Sequence, residues 1–246
     1  MGRALSDPHG IVGTPVQAWQ RKGDGLMPVS GGHGADAEGS GNRELMLRFC
    51  SLGNNCEVAA AQRAFGAEPN DLFRWAGVDA SVVLKLLNSR FVGIGEPGKI
   101  NIGERLPDGQ HMATHSDGFM WHAWMSSEPV SRDVLHSREC KRLPFLAGKL
   151  IEEMTEAVRI FVIKPSDWHP MTCADAAALS DAICAYGRST LMFVHDGAAR
   201  PSVERVSRYL LHGVITRFAD TENVIHTTDA EEWRQLFSEA ARMAVA

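Results

Sequence analysis

The chain has 246 residues, 44% hydrophobic and 22% charged, with a net charge of -5. That is long enough for a sizeable core, and the acidic balance argues against a nucleic-acid binder, which carries a basic face. No apolar run approaches the roughly 18 residues of a membrane span, and no apolar segment near the start reads as a secretory signal. Five cysteines without a tight framework fit a reducing compartment better than a disulfide scaffold. The expectation is a cytoplasmic protein with no membrane or nucleic-acid partner, no metal and no cofactor.

Residues 1–42 carry ten of the 23 glycines and few large apolar side chains, so they read as a flexible tail ahead of a single domain at 43–246. Leu45 to Phe49 is a short apolar run that suits a buried strand. Gly53 then permits a turn, Asn54 or Asn55 can cap a helix, and Gly66 sits where that helix should stop. Pro69 opens a loop of interleaved polar and aromatic residues through Trp75. Asp79 caps a second helix, with Val82, Val83, Leu86, Leu87 and Phe91 at helical spacing. Lys99 to Ile102 reads as a short strand, residues 103–117 as polar turns, and Phe119 to Trp124 as an aromatic strand. From Ser131 the pattern gives two helical pieces, with Pro144 in the first turn of the second.

The last third alternates more plainly. Arg159 to Lys164 and Thr190 to Val194 read as strands around a helix from Thr172 to Tyr186. Pro201 opens a helix with Val203, Val206 and Leu210 inward, and Gly213 ends it. Val214 to Phe218 and Val224 to His226 follow as strands, and Thr228 with Glu231 forms a capping box for the final helix. Strands alternating with helices predict an α/β fold, a mostly parallel helix-covered sheet.

Cys56 is the sharpest chemical candidate. Its place in the first turn of a helix, after a polar strand–turn, is where unpaired N–H groups and the helix dipole favour a thiolate; the bland alternative is a small buried residue at a tight junction. A thiol nucleophile needs a histidine base, and His122 on the aromatic strand is the first choice, with His195 beside Asp196 at a strand end the second. Asp167 could orient the base. His111 and His115, four apart, would share a face as metal ligands if helical, yet their segment reads as turn and lacks the zinc-protease glutamate. A helix N-terminus can instead bind an anion without chemistry. Ser51, Gly53, Asn54, Asn55, Asp71 and Arg74 are then the ligand-binding candidates.

The blocks S-L-G-N-N-C-E-V-A at 51–59, A-Q-R-A-F-G-A-E-P at 61–69 and D-L-F-R-W at 71–75 resemble a bacterial family described as papain-like cysteine peptidases. W-H-A-W at 121–124, R-L-P-F-L-A-G-K-L at 142–150 and I-F-V-I-K at 160–164 are also similar to it, so the resemblance extends over most of 44–246. It implies Cys56 as nucleophile and His122 as its partner, acting on an acyl-type bond in a small-molecule, peptide or glycan substrate. The family's simpler members have a Pro-Phe-Asp-Trp-like block where this chain reads Asp71-Leu72-Phe73-Arg74-Trp75, so Arg74 displaces the acid or Asp71 takes its role. Similar domains also stand beside sugar-transfer modules in bacterial surface-polysaccharide settings, which implies a sugar- or anion-binding module as the alternative. Papain-like folds place the histidine on an antiparallel sheet, whereas residues 159–246 read as parallel β/α units.

Overall fold

The computed structural model describes residues 36–106, 109–124, 128–165, 170–220 and 223–244, with the backbone alone at 36–38 and 124. The elements run α1 (Asp36–Leu47), β1 (Phe49–Ser51), α2 (Glu57–Ala64), β2 (Ala76–Val78), α3 (Ala80–Asn88), β3 (Ile100–Arg105), β4 (His111–His115), β5 (Phe119–Trp124) and α4 (Arg132–Glu156). They continue with β6 (Ile160–Ile163), α5 (Cys173–Cys184), β7 (Thr190–Asp196), β8 (Ser202–Ser207), β9 (Leu210–Ile215), α6 (Val224–Thr227) and α7 (Ala230–Ala244). The fold is mixed α/β. A five-stranded sheet in the order β1-β6-β7-β9-β8 is parallel except for β8, and a four-stranded sheet in the order β2-β5-β4-β3 is antiparallel.

Period-two alternation gives the parallel sheet two buried faces. Phe49, Ile160, Val162, Met192, Val194 and Leu211 face one core, shared with α1, α2 and α7, where the Phe49 and Phe237 rings stack at 3.9 Å. Cys50, Phe161, Ile163, Leu191, Phe193 and Leu210 face the other, shared with α3, α4, α5 and the antiparallel sheet. The antiparallel sheet is tied to α4 by the Trp121 indole N–H, which donates to the fully buried Glu139 carboxylate at 2.9 Å.

Several expected elements are corrected. Residues 36–42, read as tail, begin α1, which runs through Leu47 and leaves only Phe49–Ser51 for the strand. The two helical pieces after Ser131 are one helix of 25 residues with Pro144 inside it. Gly95 packs against this point of the helix, where a Cβ would lie 2.2 Å from the Pro144 ring and 2.6 Å from the Cys140 carbonyl that proline leaves without its helical donor. The polar stretch at 103–117 contains β4, whose inward positions are His111, Ala113 and His115. The helix expected after Pro201 is the β8–β9 hairpin, with Val203 buried and Val206 exposed, and the strand expected at Val224 is the short α6.

Candidate functional site

The turn between β1 and α2 forms as its residue types dictate. Gly53 and Asn54 have φ of 101° and 85°, and a Cβ on Gly53 would stand 2.0 Å from Val78 Cγ1, so both backbone and space demand glycine there. The hydroxyl of Ser51 accepts from the Gly53 N–H at 3.2 Å, and Asn55 Oδ1 accepts from the Glu57 N–H at 2.9 Å. The Asn54 side-chain amide donates to the carbonyls of Lys164 and Pro165, stitching this turn to the residues just after β6. The polar groups expected to hold a ligand therefore hold the turn itself.

Cys56 is the N-cap residue of α2, but its side chain makes no capping bond and is 3% exposed. Burial pushes its thiol up to about 12, with Arg63 and Arg74 only partly opposing. The expected low-pKa thiolate is thus corrected: the helix end is favourable to an anion, but desolvation outweighs it. His122 lies half-buried on β5, its backbone N–H donating to the Trp75 carbonyl at 3.2 Å, and no hydrogen bond joins it to Cys56. Asp167 lies outside the described residues. Among the described residues the sulfur–imidazole contact is a different one, Cys140 Sγ to His136 Nδ1 at 3.8 Å, and burial raises that thiol too.

Asp71 and Arg74 are both buried and both engaged. The Asp71 carboxylate receives the Arg159 guanidinium in a two-pronged pair at 2.6 and 2.9 Å and the Lys149 ammonium at 3.1 Å, and Glu153 completes the cluster. Cys50, Asp71 and Glu153 bring metal-type ligand atoms within 4.8 Å of one another, but two cations already balance the two carboxylates there. Arg74 donates to Glu68 and to the Ala67 carbonyl and lies over the Trp75 ring, tying the end of α2 to the loop after it. His111 and His115 share a face of a strand, not of a helix, and their Nδ1 atoms meet the Gly103 carbonyl and the Asp117 segment.

Two arrangements were not visible in the sequence. Glu57, 1% exposed, accepts from the Trp233 indole N–H at 3.1 Å and the Ala219 N–H at 3.0 Å and pairs with Lys164 at 3.0 Å, joining α2, α7 and the ends of β6 and β9. His195, the second-choice base, meets His212 at 3.0 Å, and His212 meets Glu204 at 2.9 Å, a carboxylate–imidazole–imidazole chain across β8, β9 and β7. With both rings neutral and Glu204 accepting from His212 Nδ1–H, His212 Nε2 is left to accept from His195 Nδ1–H.

Burial and the neighbouring His212 hold His195 below the ordinary imidazole range, against the Met171 carbonyl and Asp196, and burial likewise lowers His115 against Asp117. When the folded pKa is the lower, the unfolded chain takes up protons first, so stability is lost as pH falls from about 6.5. Urea midpoints are expected to drop between pH 7 and pH 5, and to drop less in His195→Gln. Parallel curves for the two proteins would remove His195 from that account.

A concave feature lies at the opposite end of the parallel sheet, below the N-terminal ends of β6 and β7. A cavity of about 350 Å³ is lined by Arg48, Arg159, Arg188, Arg205, Arg208 and Tyr209 among others, and the described residues of its wall include no Asp or Glu. Arg159 belongs to the Asp71 cluster. The other four are exposed and form no ion pair among the described residues. Arg48 and Arg205 donate to the Ala241 and Met243 carbonyls at the end of α7, and Arg208 lies 5.3 Å from the Tyr209 ring. No local pattern announces this site, because its arginines come from separate positions beside strand starts and a hairpin turn. Compared with models of protein families, with curated proteins and with solved structures, the chain matches none.

Proposed function

We propose that the protein binds a small anionic ligand, and that the ligand sits in the arginine-lined cavity below β6 and β7 rather than at the start of α2. One observation carries the reading: four arginines without acidic partners among the described residues line one concavity in a chain whose net charge is -5. Guanidinium groups offer paired donors that match carboxylate and phosphate oxygens, and a recess with low-dielectric walls concentrates their field. A cavity of this volume falls in the range that takes small ligands.

The two arginines at the α7 end also satisfy helix carbonyls, which accounts for Arg48 and Arg205 but not for Arg188 and Arg208. A thermal-unfolding panel of sulfate, citrate, phosphate and pyrophosphate against sodium chloride of equal ionic strength tests the reading. A ligand at a hundred times its Kd stabilises by about 2.7 kcal/mol, so at least one multivalent anion should raise Tm by several degrees. The rise should vanish in the Arg188→Ala/Arg208→Ala double variant. No rise for any anion beyond the chloride control defeats the proposal.

A further inference from the structure

Resting on that anion-binding reading, we infer that the ligand is a small ester of pyrophosphate, held through its two phosphoryl groups without a metal ion. The argument is one of charge, size and donor type. Arg48, Arg188, Arg205 and Arg208 bring four positive charges to a cavity of about 350 Å³. A single phosphate leaves half of that charge or more uncompensated, and a tricarboxylate must spread the same charge over a longer skeleton. A pyrophosphoryl group concentrates its charge and its acceptor oxygens on two adjacent tetrahedra, each of which can accept a forked guanidinium.

Divalent cations that usually accompany diphosphates need oxygen ligands, and the described residues of the cavity wall include no Asp or Glu to hold one. Guanidinium groups therefore do the neutralising. The cavity is also too large for the inorganic ion alone, and the Tyr209 ring beside Arg208 gives the remaining volume an aromatic wall against which an organic group can lie. Its concave shape, confined below the strand ends, suits a metabolite rather than a nucleic-acid duplex, which needs an extended basic face.

Calorimetric titration of the full chain with inorganic pyrophosphate, orthophosphate and citrate, each at fixed ionic strength, tests the assignment. Pyrophosphate should bind at least about tenfold more tightly than the other two, and excess Mg²⁺, which sequesters pyrophosphate, should weaken it. Arg188→Ala and Arg208→Ala should each weaken pyrophosphate about tenfold or more with unchanged Tm, since neither guanidinium donates a hydrogen bond within the protein. Equal affinity for citrate and pyrophosphate overturns the pyrophosphate assignment while leaving an anion site in place. Binding that survives both substitutions, or no binding of any of the three, overturns the site itself. Tighter binding of an oligonucleotide than of pyrophosphate overturns the metabolite assignment in favour of nucleic acid.

Discussion

Asp71→Asn lowers the stability of the protein by about 3–5 kcal/mol, the loss expected when one member of a buried ion pair is removed and the other is left without its charge. The Asp71 and Arg159 side chains are 1% and 8% exposed, so water cannot replace the lost carboxylate. Arg159 also donates to the Phe49 carbonyl and pairs with Glu153, whose side chain is 15% exposed. That second carboxylate softens the loss and places it toward the lower end of the range. The cluster connects the loop before β2, the end of α4 and the strand pair β1 and β6, so its failure loosens the junction between the two sheets. Urea unfolding measures the effect as a lower midpoint with an unchanged slope. If Asp71 served a ligand instead, Asp71→Asn would leave the midpoint in place and change binding alone. A double-mutant cycle with Arg159→Gln then isolates the pair, and a coupling near zero would contradict the two-pronged geometry.

How far the fold could be read in advance depended on whether inward-facing positions were apolar. β6 and β7 are apolar on both faces and flanked by glycines, prolines and caps, so their existence and the largely parallel arrangement were legible. The strand β4 was not, because two of its three buried positions are His111 and His115, which erase the alternation. The β8–β9 hairpin misled in the opposite sense. Val203, Val206 and Leu210 fall at helical spacing, yet Val206 is 55% exposed and its spacing is incidental. α4 was divided at Pro144 because proline normally ends or kinks a helix, whereas here one helix of 25 residues runs through it with Gly95 packed against it.

At the start of α2, the expected strand–turn–helix is present but its surroundings differ from those expected. Ser51, Gly53, Asn54 and Asn55 do build a strand–turn–helix, but whether a turn exposes or buries the residue after it depends on what packs above. Here Val78 and Gly77 of β2 close over the turn, the Asn54 carbonyl lying 3.6 Å from where a Gly77 Cβ would be. The arginine cavity shows the converse case. Arg48, Arg188, Arg205 and Arg208 are unremarkable singly and lie up to 160 positions apart, so only the sheet topology, which gathers the N-terminal ends of its strands, makes them neighbours.

Cys56 should be alkylated by iodoacetamide about a thousandfold more slowly in the native protein than in the urea-unfolded chain at pH 8. A thiol raised to about 12 is thiolate in roughly one molecule in 10⁴ at that pH, whereas one near 8.5 is thiolate in about one in four. With 3% exposure the reagent also lacks access, so native labelling proceeds only through local opening of α2 and slows further. Cys173, exposed at the first turn of α5, supplies an internal comparison and should label first. The same burial sets a pH trend: a thiol whose folded pKa is raised stays protonated while the unfolded chain ionises, so stability falls as pH rises above about 8.5. Cys50, fully buried and also raised, adds to that fall, and Cys56→Ala should flatten it in part. Rapid native labelling of Cys56 that slows in His122→Ala would reverse the conclusion, because only a reachable thiol assisted by that imidazole behaves so. The thiol-hydrolase reading would then hold at the start of α2, whatever the arginine cavity binds. Slow labelling that is indifferent to His122 leaves Cys56 a packing residue at a tight junction, where a small apolar side chain under Arg63 and Arg74 is what the turn requires.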